Sequence, residues 1–157
     1  MRNQDVLKLI KEIAFFKPFT AGEKKTLANL DTHIIEHKKG DYVIRQGEKD
    51  STIFILLKGV LAITKDEVPD AELNTLKVGA MFGEVLLITG KTRSTSVIAK
   101  NRVVVLKMDA YLLKTPDPAI LNKFKDHLLK IIIKRLDEMN SAMASFKVEF
   151  EKMYRRL

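Results

Sequence analysis

Residues Met81 to Ala99 read MFGEVLLITGKTRSTSVIA, and this stretch decides how the rest of the chain is interpreted. Gly83 stands beside Glu84, a short apolar segment follows, and Arg93-Ser94 comes after it. A glycine lets the backbone approach a ligand closely, and the amides that open a short helix suit an anion. Arg93 adds a planar fork of donors for phosphate oxygens, whereas Glu84 only accepts and suits a sugar hydroxyl. The combination indicates a site for a small nucleotide held without metal.

The same stretch resembles the phosphate-binding cassette of cyclic-nucleotide-binding domains, which reads roughly F-G-E-x-A-L and then P-R-[AST]-A. The positions that match this pattern are Phe82, Gly83, Glu84, Leu87, Arg93 and Ser94. The positions that depart from it are Leu86, Thr92 and Thr95, where the family has a small residue, a proline and an alanine. A bulky Leu86 could crowd the site. The alternative interpretation is a turn whose arginine binds a neighbouring carboxylate.

The resemblance implies a set of ligand-binding residues: Phe82, Gly83, Glu84, Val85, Leu86, Arg93, Ser94, Thr95 and, from a C-terminal helix, Asn140. Arg93 is expected to neutralise the cyclic phosphate, and Glu84 to accept from the ribose 2′-OH. We favour cAMP over cGMP as the ligand. In the family, threonine after the arginine often accompanies cGMP, whereas the serine found here as Ser94 also occurs in cAMP-binding bacterial relatives.

Composition fits one functional domain of a cytoplasmic protein. Its 157 residues contain 46% apolar and 31% charged residues and no cysteine, so neither a disulfide framework nor a thiolate metal site is expected. The polar N-terminus is not a signal peptide, and no apolar run is long enough to span a membrane. The net charge of +8 is spread along the chain. We therefore favour a solvated helical face over nucleic-acid binding.

The chain is predicted to begin with helices and to continue with strands. Apolar spacing predicts a helix over residues 4–15, and Thr20-Ala-Gly-Glu23 is a capping box for a second helix that ends near Leu30. Short β-branched runs, separated by glycine turns, then predict an antiparallel β-roll or jelly-roll barrel. These runs are His33 to His37, Tyr42 to Arg45, Ile53 to Leu57, Val60 to Thr64, Leu73 to Leu76, Ser94 to Ala99 and Val103 to Met108. Val68 to Ala71 is predicted to be an exposed hairpin loop.

A long C-terminal helix completes the predicted α+β fold. Asp117 suits an N-cap and Pro118 the first helical turn, and no helix breaker follows through Leu157. Apolar residues recur at alternating intervals of three and four along a seam: Leu129, Ile132, Leu136, Met139, Met143, Phe146, Phe150, Met153 and Leu157. A period of 3.5 residues is typical of a coiled coil. We expect a parallel homodimer through residues 129–157, whose helices also close the nucleotide pockets.

These patterns divide the chain into an N-terminal helical segment (1–30), a β-roll with the cassette (31–114) and a dimerisation helix (115–157). The function expected is a regulatory cyclic-nucleotide sensor, similar to the sensor half of catabolite-activator-type transcription factors. Its effector protein is not identified by the sequence, and no direct DNA binding is expected. The alternative is an interaction domain with a degenerate pocket that no longer binds nucleotide.

No residue pattern points to catalysis or to a metal. A catalytic triad, a phosphate-binding Walker loop and a paired carboxylate motif are all missing from the sequence. His33, His37 and His127 do not have the spacing of metal ligands, so surface or half-buried positions are expected for them. We therefore predict a binding module with no catalytic residue and no metal ligand.

Overall fold

The computed structural model describes residues 2–30, 33–84, 90–109 and 117–156. Its helices are α1 (Asn3–Glu12), a 3₁₀ turn (Ala14–Phe16), α2 (Ala21–Ala28) and α3 (Pro118–Tyr154). Its strands are β1 (Ile34–His37), β2 (Tyr42–Ile44), β3 (Ile53–Lys58), β4 (Leu61–Lys65), β5 (Val68–Leu76), β6 (Met81–Phe82), β7 (Ser96–Ala99) and β8 (Val103–Met108). The predicted α+β class is confirmed.

The strands form two four-stranded antiparallel sheets, ordered β1-β8-β3-β6 and β2-β7-β4-β5. Strand side chains alternate between faces, and the inward-facing ones from both sheets make one apolar core. Its residues are Ile44, Phe54, Leu56, Leu61, Leu76, Phe82, Val97, Ala99, Val103 and Val105. Consecutive residues from Val103 to Leu106 are all buried, so both faces of the first sheet are covered at β8.

The two N-terminal helices are present as predicted, but α1 ends at Glu12 rather than at residue 15, and a 3₁₀ turn follows it. Thr20 Oγ1 accepts from the Glu23 amide at 3.2 Å, and the Glu23 carboxylate accepts from the Thr20 amide at 2.7 Å. This reciprocal pair confirms the capping box that opens α2. Beyond α1, the buried rings of Phe15 and Phe16 meet edge to face at 4.7 Å.

Two strand predictions were wrong. Val68 to Ala71 is the first part of β5 rather than a loop, because the turn lies earlier, at Asp66-Glu67. Pro69 is compatible with this strand because β5 lies at the edge of its sheet and, among the described strands, pairs with β4 only. The short strand β6 was not predicted, since two residues carry too little periodicity to be recognised.

The chain separates into two compact units, Met1–Leu121 and Asn122–Leu157. The N-cap of α3 is confirmed, because the Asp117 carboxylate accepts from the Ala119 amide at 2.9 Å. α3 ends at Tyr154, three residues before the predicted end. Among the described seam residues, all but Ile132 are between 52% and 70% exposed in the single chain.

Candidate functional site

Three loops that each adjoin a strand bring the candidate site together. Gly83 and Glu84 directly follow β6, Arg93 lies shortly before β7, and the loop before β3 contributes Asp50 and Thr52. Pairing of β3 with β6, with Phe54 opposite Phe82, sets the first and third loops side by side. Two strand-end loops are thus fixed by the sheet itself.

Arg93 is the centre of this site, and its side chain is only 4% exposed. Its Nη1 donates to the Gly83 carbonyl and its Nη2 to the Thr52 carbonyl, both at 2.6 Å. The buried Nε has no hydrogen-bond partner among the residues that the structure describes. Because a guanidinium stays charged and a buried donor without an acceptor is costly, this end of Arg93 is suited to an anion.

The backbone of Arg93 is held as firmly as its side chain. Its amide donates to the Glu48 carbonyl and its carbonyl accepts from the Gly47 amide, both at 2.8 Å. These two bonds fix the loop before β7 against the loop that follows β2. The guanidinium is therefore presented from an anchored position rather than from a free surface side chain.

Gly83 is required by both its conformation and its surroundings. Its φ is +87°, which side-chain-bearing residues rarely adopt. A Cβ at this position would lie 2.8 Å from the Thr52 carbonyl oxygen and 3.0 Å from Arg93 Nη1. Gly83 is thus packed closely against the Thr52 carbonyl and the arginine of the protein itself. The predicted close approach of its backbone to a ligand stays a prediction.

Asp50 is a partner of Arg93 that the sequence analysis did not identify. Its carboxylate lies 3.3 Å from Arg93 Nη2, and its other oxygen accepts from the Thr52 hydroxyl at 2.6 Å. Burial raises the pKa of Asp50, but hydrogen bonds from Thr52 and the charge of Arg93 outweigh it and hold the pKa below its ordinary value. Since 43 residues separate Asp50 from Arg93, no local pattern joins them.

The arginine–carboxylate contact is the alternative that the sequence left open. Asp50 remains 51% exposed at the side chain, whereas Arg93 is almost wholly buried. A contact at 3.3 Å with a half-exposed carboxylate neutralises the guanidinium incompletely. The structure therefore contains this ion pair together with a donor, Nε, that the ion pair does not use.

The remaining cassette residues occupy different environments. Glu84 is 1% exposed, so its carboxylate is enclosed in the protein, whereas Ser94 is exposed and Thr95 is partly exposed. Phe82 is buried in the core, where its ring stacks on Phe54 at 5.3 Å. The residue that precedes Gly83 is thus anchored in the core.

Some predicted contacts cannot be placed beside this site. Val85, Leu86 and Leu87 lie outside the described residues, as does Thr89 at the end of that segment. Asn140 is exposed on α3, in the second compact unit. The predicted roles of the Val85 and Leu86 amides and of Asn140 therefore stay predictions.

The three histidines lie in different environments. His33 is buried, contrary to the predicted surface or half-buried position, with Nε2 3.4 Å from an Asp109 carboxylate oxygen. Burial lowers the pKa of His37 and of His127. Among the described residues no three histidine or carboxylate side chains come together as a metal-binding group. None of the described helices has the length and apolar character that a membrane crossing requires.

Comparison with known proteins agrees with this geometry. The family model for the "Cyclic nucleotide-binding domain" matches residues 34–114, which are more than half of the chain. This range includes all of the strands and all three loops of the candidate site. The chain belongs to the cyclic nucleotide-binding domain family.

Individual relatives are similar over most of the chain. Mouse cGMP-dependent protein kinase 2 is 34% identical over 113 residues, which are 69% of this chain and 15% of the kinase. The solved structure of Sp-2Cl-cAMPS bound to PKAR CBD2 has a TM-score of 0.66 at 22% identity and covers 89% of this chain and 90% of its own. The regulatory subunit of a cAMP-independent protein kinase A from Trypanosoma brucei has a TM-score of 0.64 at 23% identity, over 83% of this chain and 45% of its own. The structural likenesses show the fold, and the chain spans about 15% of the kinase's length.

Proposed function

We propose that this protein is a regulatory module that binds a cyclic nucleotide, with Arg93 as the contact to the cyclic phosphate. The observation that carries this proposal is a buried guanidinium with two donors fixed by backbone carbonyls and a third, Nε, left without a partner among the described residues. An arginine placed only to hold the fold would have its buried donors satisfied. A phosphate oxygen would satisfy Nε and complete the neutralisation that Asp50 begins.

The other cassette residues would bind the sugar and the rest of the phosphate. Glu84 follows Gly83 in the sequence and is buried, and its carboxylate would accept a hydrogen bond from the ribose 2′-OH. Ser94 is exposed next to Arg93 and would donate its hydroxyl to the ligand. The amides of Val85 and Leu86 would donate to the phosphate, and Asn140 would contact the base.

We favour cAMP as the ligand, with cGMP as the competitor to be tested. Ser94 supplies a shorter hydroxyl side chain than the threonine that often accompanies cGMP in the family. The names of the relatives divide, since one is a cGMP-dependent protein kinase and another is PKAR CBD2 with bound Sp-2Cl-cAMPS. Tighter binding of cGMP than of cAMP in a competition assay would reverse this preference.

A second candidate function is an interaction domain that no longer binds nucleotide. It is favoured by the contact of Asp50 with Arg93, which gives the guanidinium an anionic partner from the protein itself. The departures from the family pattern at Leu86 and Thr92 also favour it. Against it stand the enclosed Glu84 and the unused Nε of Arg93.

We further propose that the module acts by binding rather than by catalysis, and signals as a homodimer through residues 129–157. The exposed apolar seam of α3 supports self-association. A parallel pair follows from the family resemblance, and it is one of two orientations that the seam permits. The cytoplasmic location and the existence of an effector protein are predictions from the sequence.

Equilibrium binding of labelled cAMP and cGMP to the wild-type protein separates the two candidate functions. The sensor function predicts saturable binding at one site per chain, displaced by unlabelled cyclic nucleotide. It also predicts weak displacement by the linear 5′-monophosphate, whose phosphate has a different shape and charge. Absence of binding at millimolar ligand would instead support the interaction domain.

A further inference from the structure

The residues along and beside the seam of α3 determine the orientation in which two copies would pair. In heptad notation Leu129, Leu136, Met143 and Phe150 are a positions, and Ile132, Met139, Phe146 and Met153 are d positions. Residues just before a and just after d flank such a seam and determine partner orientation. The flanking residues before a are Leu128, Arg135, Ala142 and Glu149, and those after d are Ile133, Asn140, Lys147 and Tyr154.

We propose that α3 pairs with α3 of a second copy in an antiparallel coiled coil, with Arg135 facing Glu149 of that copy. In this register each a residue lies opposite a d residue of the second copy, and the two residue numbers sum to 282. Leu129 is therefore opposite Met153, and Met139 is opposite Met143. The proposal rests on the homodimer proposed above and replaces the parallel orientation, which the family resemblance implies, with an antiparallel one.

Charge complementarity is the first reason for this orientation. In an antiparallel pair the residues just before a on one helix face the residues just before a on the other. Arg135 of each copy then faces Glu149 of the other copy, so symmetry gives two such contacts. Both side chains are exposed in the single chain. In a parallel pair these residues instead meet those after d. That brings Arg135 to Asn140, Ala142 to Lys147 and Glu149 to Tyr154, with no pair of opposite charges.

Packing of the aromatic side chains is the second reason. Phe146 and Phe150 are exposed and adjacent on α3, with ring centroids 6.3 Å apart. A parallel pair would put each phenylalanine against itself in two successive layers and leave the larger volume at one end. The antiparallel pair sets Phe146 against Leu136 and Phe150 against Ile132, which mixes large and smaller side chains in each layer.

The two reasons select the same register. A shift of the antiparallel pair by one heptad separates Arg135 from Glu149 in either direction. One shift places Arg135 beside Ala142 and leaves Phe150 and Met153 without an opposite seam residue, and the other places Ala142 beside Glu149 and leaves Leu129 without one. The register that joins Arg135 to Glu149 instead pairs all the described seam residues from Leu129 to Met153.

Engineered cysteines test the orientation directly, because the chain has none of its own. Leu129→Cys and Met153→Cys are prepared separately in the full chain, one with a size tag, and treated with a short bismaleimide. The 24 positions between them put the two Leu129 sites of an antiparallel pair about 36 Å apart at 1.5 Å per residue. We expect cross-linking in the mixture of the two variants and none in either alone.

Charge reversal provides an independent measurement. Arg135→Glu replaces both attractive contacts with repulsive ones and is expected to raise the dimer dissociation constant about tenfold. The double variant Arg135→Glu/Glu149→Arg should restore it to within about twofold, because the contacts re-form with reversed sign. Within one helix these residues are 14 positions apart, or about 21 Å, so a restored affinity reports contact between chains.

Each other outcome contradicts the proposal in a recognisable way. Cross-linking of Leu129→Cys to itself would establish the parallel pair and leave the homodimer intact. A dimer that forms neither cross-link would exclude this seam as the interface. A wild-type protein that sediments as a monomer at micromolar concentration would overturn the homodimer as well. Nucleotide binding is measured separately, so its failure would not be mistaken for any of these.

Discussion

The Arg93 guanidinium has two kinds of acceptor. One is supplied by carbonyls and a carboxylate of the protein, and the other is the phosphate of the proposed ligand. Its donors to Gly83 and Thr52 fix the plane of the guanidinium, and Asp50 supplies the negative charge. Asp50 is the replaceable member of this group because its side chain remains half exposed. Single substitutions around Arg93 should therefore separate what holds the fold from what binds the ligand.

Replacing Asp50 with asparagine should lower stability in a pH-dependent way. Asp50 has a pKa held below its ordinary value, so its ionised form stabilises the folded state above about pH 4. That contribution is lost as the pH falls through the folded-state pKa. We expect Asp50→Asn to reduce the free energy of unfolding by less than about 1 kcal/mol at pH 7, since the carboxylate is half exposed. Urea unfolding of both proteins from pH 7 to pH 3 should show the difference becoming smaller toward acid, and a constant difference would contradict this role.

Gly83→Ala should be more destabilising than a glycine replacement made in open space. Gly47 has the same φ of +87° with no atom within 4 Å of a Cβ built there, so Gly47→Ala is the matched control. Both variants carry the backbone penalty, but only Gly83→Ala presses on the Thr52 carbonyl and Arg93. We expect an additional loss of about 1–3 kcal/mol from this crowding, measured by denaturant unfolding. An equal loss of free energy of unfolding in the two variants would mean that the loops around Gly83 relax without cost and that its close contact with Thr52 and Arg93 does not matter for stability.

The sequence was sufficient for residues whose role is local and insufficient for those joined through space. Gly83, Glu84 and Arg93 were recognised because they fall within one stretch that resembles a known cassette. Asp50 was missed because its contact with Arg93 depends on β3 and β6 pairing. The only local signal was an aspartate two residues before Thr52, which is typical of a turn and says nothing about a distant arginine.

At the scale of elements, the caps and loops place the strand ends that carry the site. The capping box of α2 and the Asp117 cap of α3 were predicted correctly because both depend on residues within one turn. The limits of β5 and the existence of β6 depend on neighbouring strands, which explains why they were misjudged. Pro69 in particular is acceptable only because β5 has a partner on one side.

Thr20→Ala tests the cap of α2. It removes the acceptor for the Glu23 amide, and we expect a loss of about 1 kcal/mol in the free energy of unfolding. Thr26→Ala is the control, because its exposed hydroxyl donates to the Gly22 carbonyl inside the helix and alanine favours helix. Thermal and urea unfolding should show the loss in the first variant alone. Equal stability of both variants would show that water replaces the cap without cost.

At the scale of the whole molecule, α3 presents more apolar surface than a single chain covers. Phe146 is 70% exposed, and Phe146→Glu would place a charge inside any interface built on the seam. We expect this variant to sediment as a monomer at concentrations where the wild type is a dimer. Val148 is exposed on the opposite side of α3, so Val148→Glu adds the same charge away from the seam and should leave the dimer intact. Loss of the dimer in both variants would point to net charge rather than to the seam.

The most direct test of the central claim is a calorimetric titration of cAMP into the wild-type protein and into Arg93→Lys. Lysine keeps the positive charge but lacks the planar fork, so the variant isolates the geometry of the guanidinium. A charge-assisted hydrogen bond contributes about 1.5–3 kcal/mol, and we expect the dissociation constant to rise at least tenfold in Arg93→Lys and further in Arg93→Ala. Circular dichroism and thermal unfolding of each variant establish that the fold is retained. An affinity for cAMP that is unchanged in a folded Arg93 variant would contradict the account.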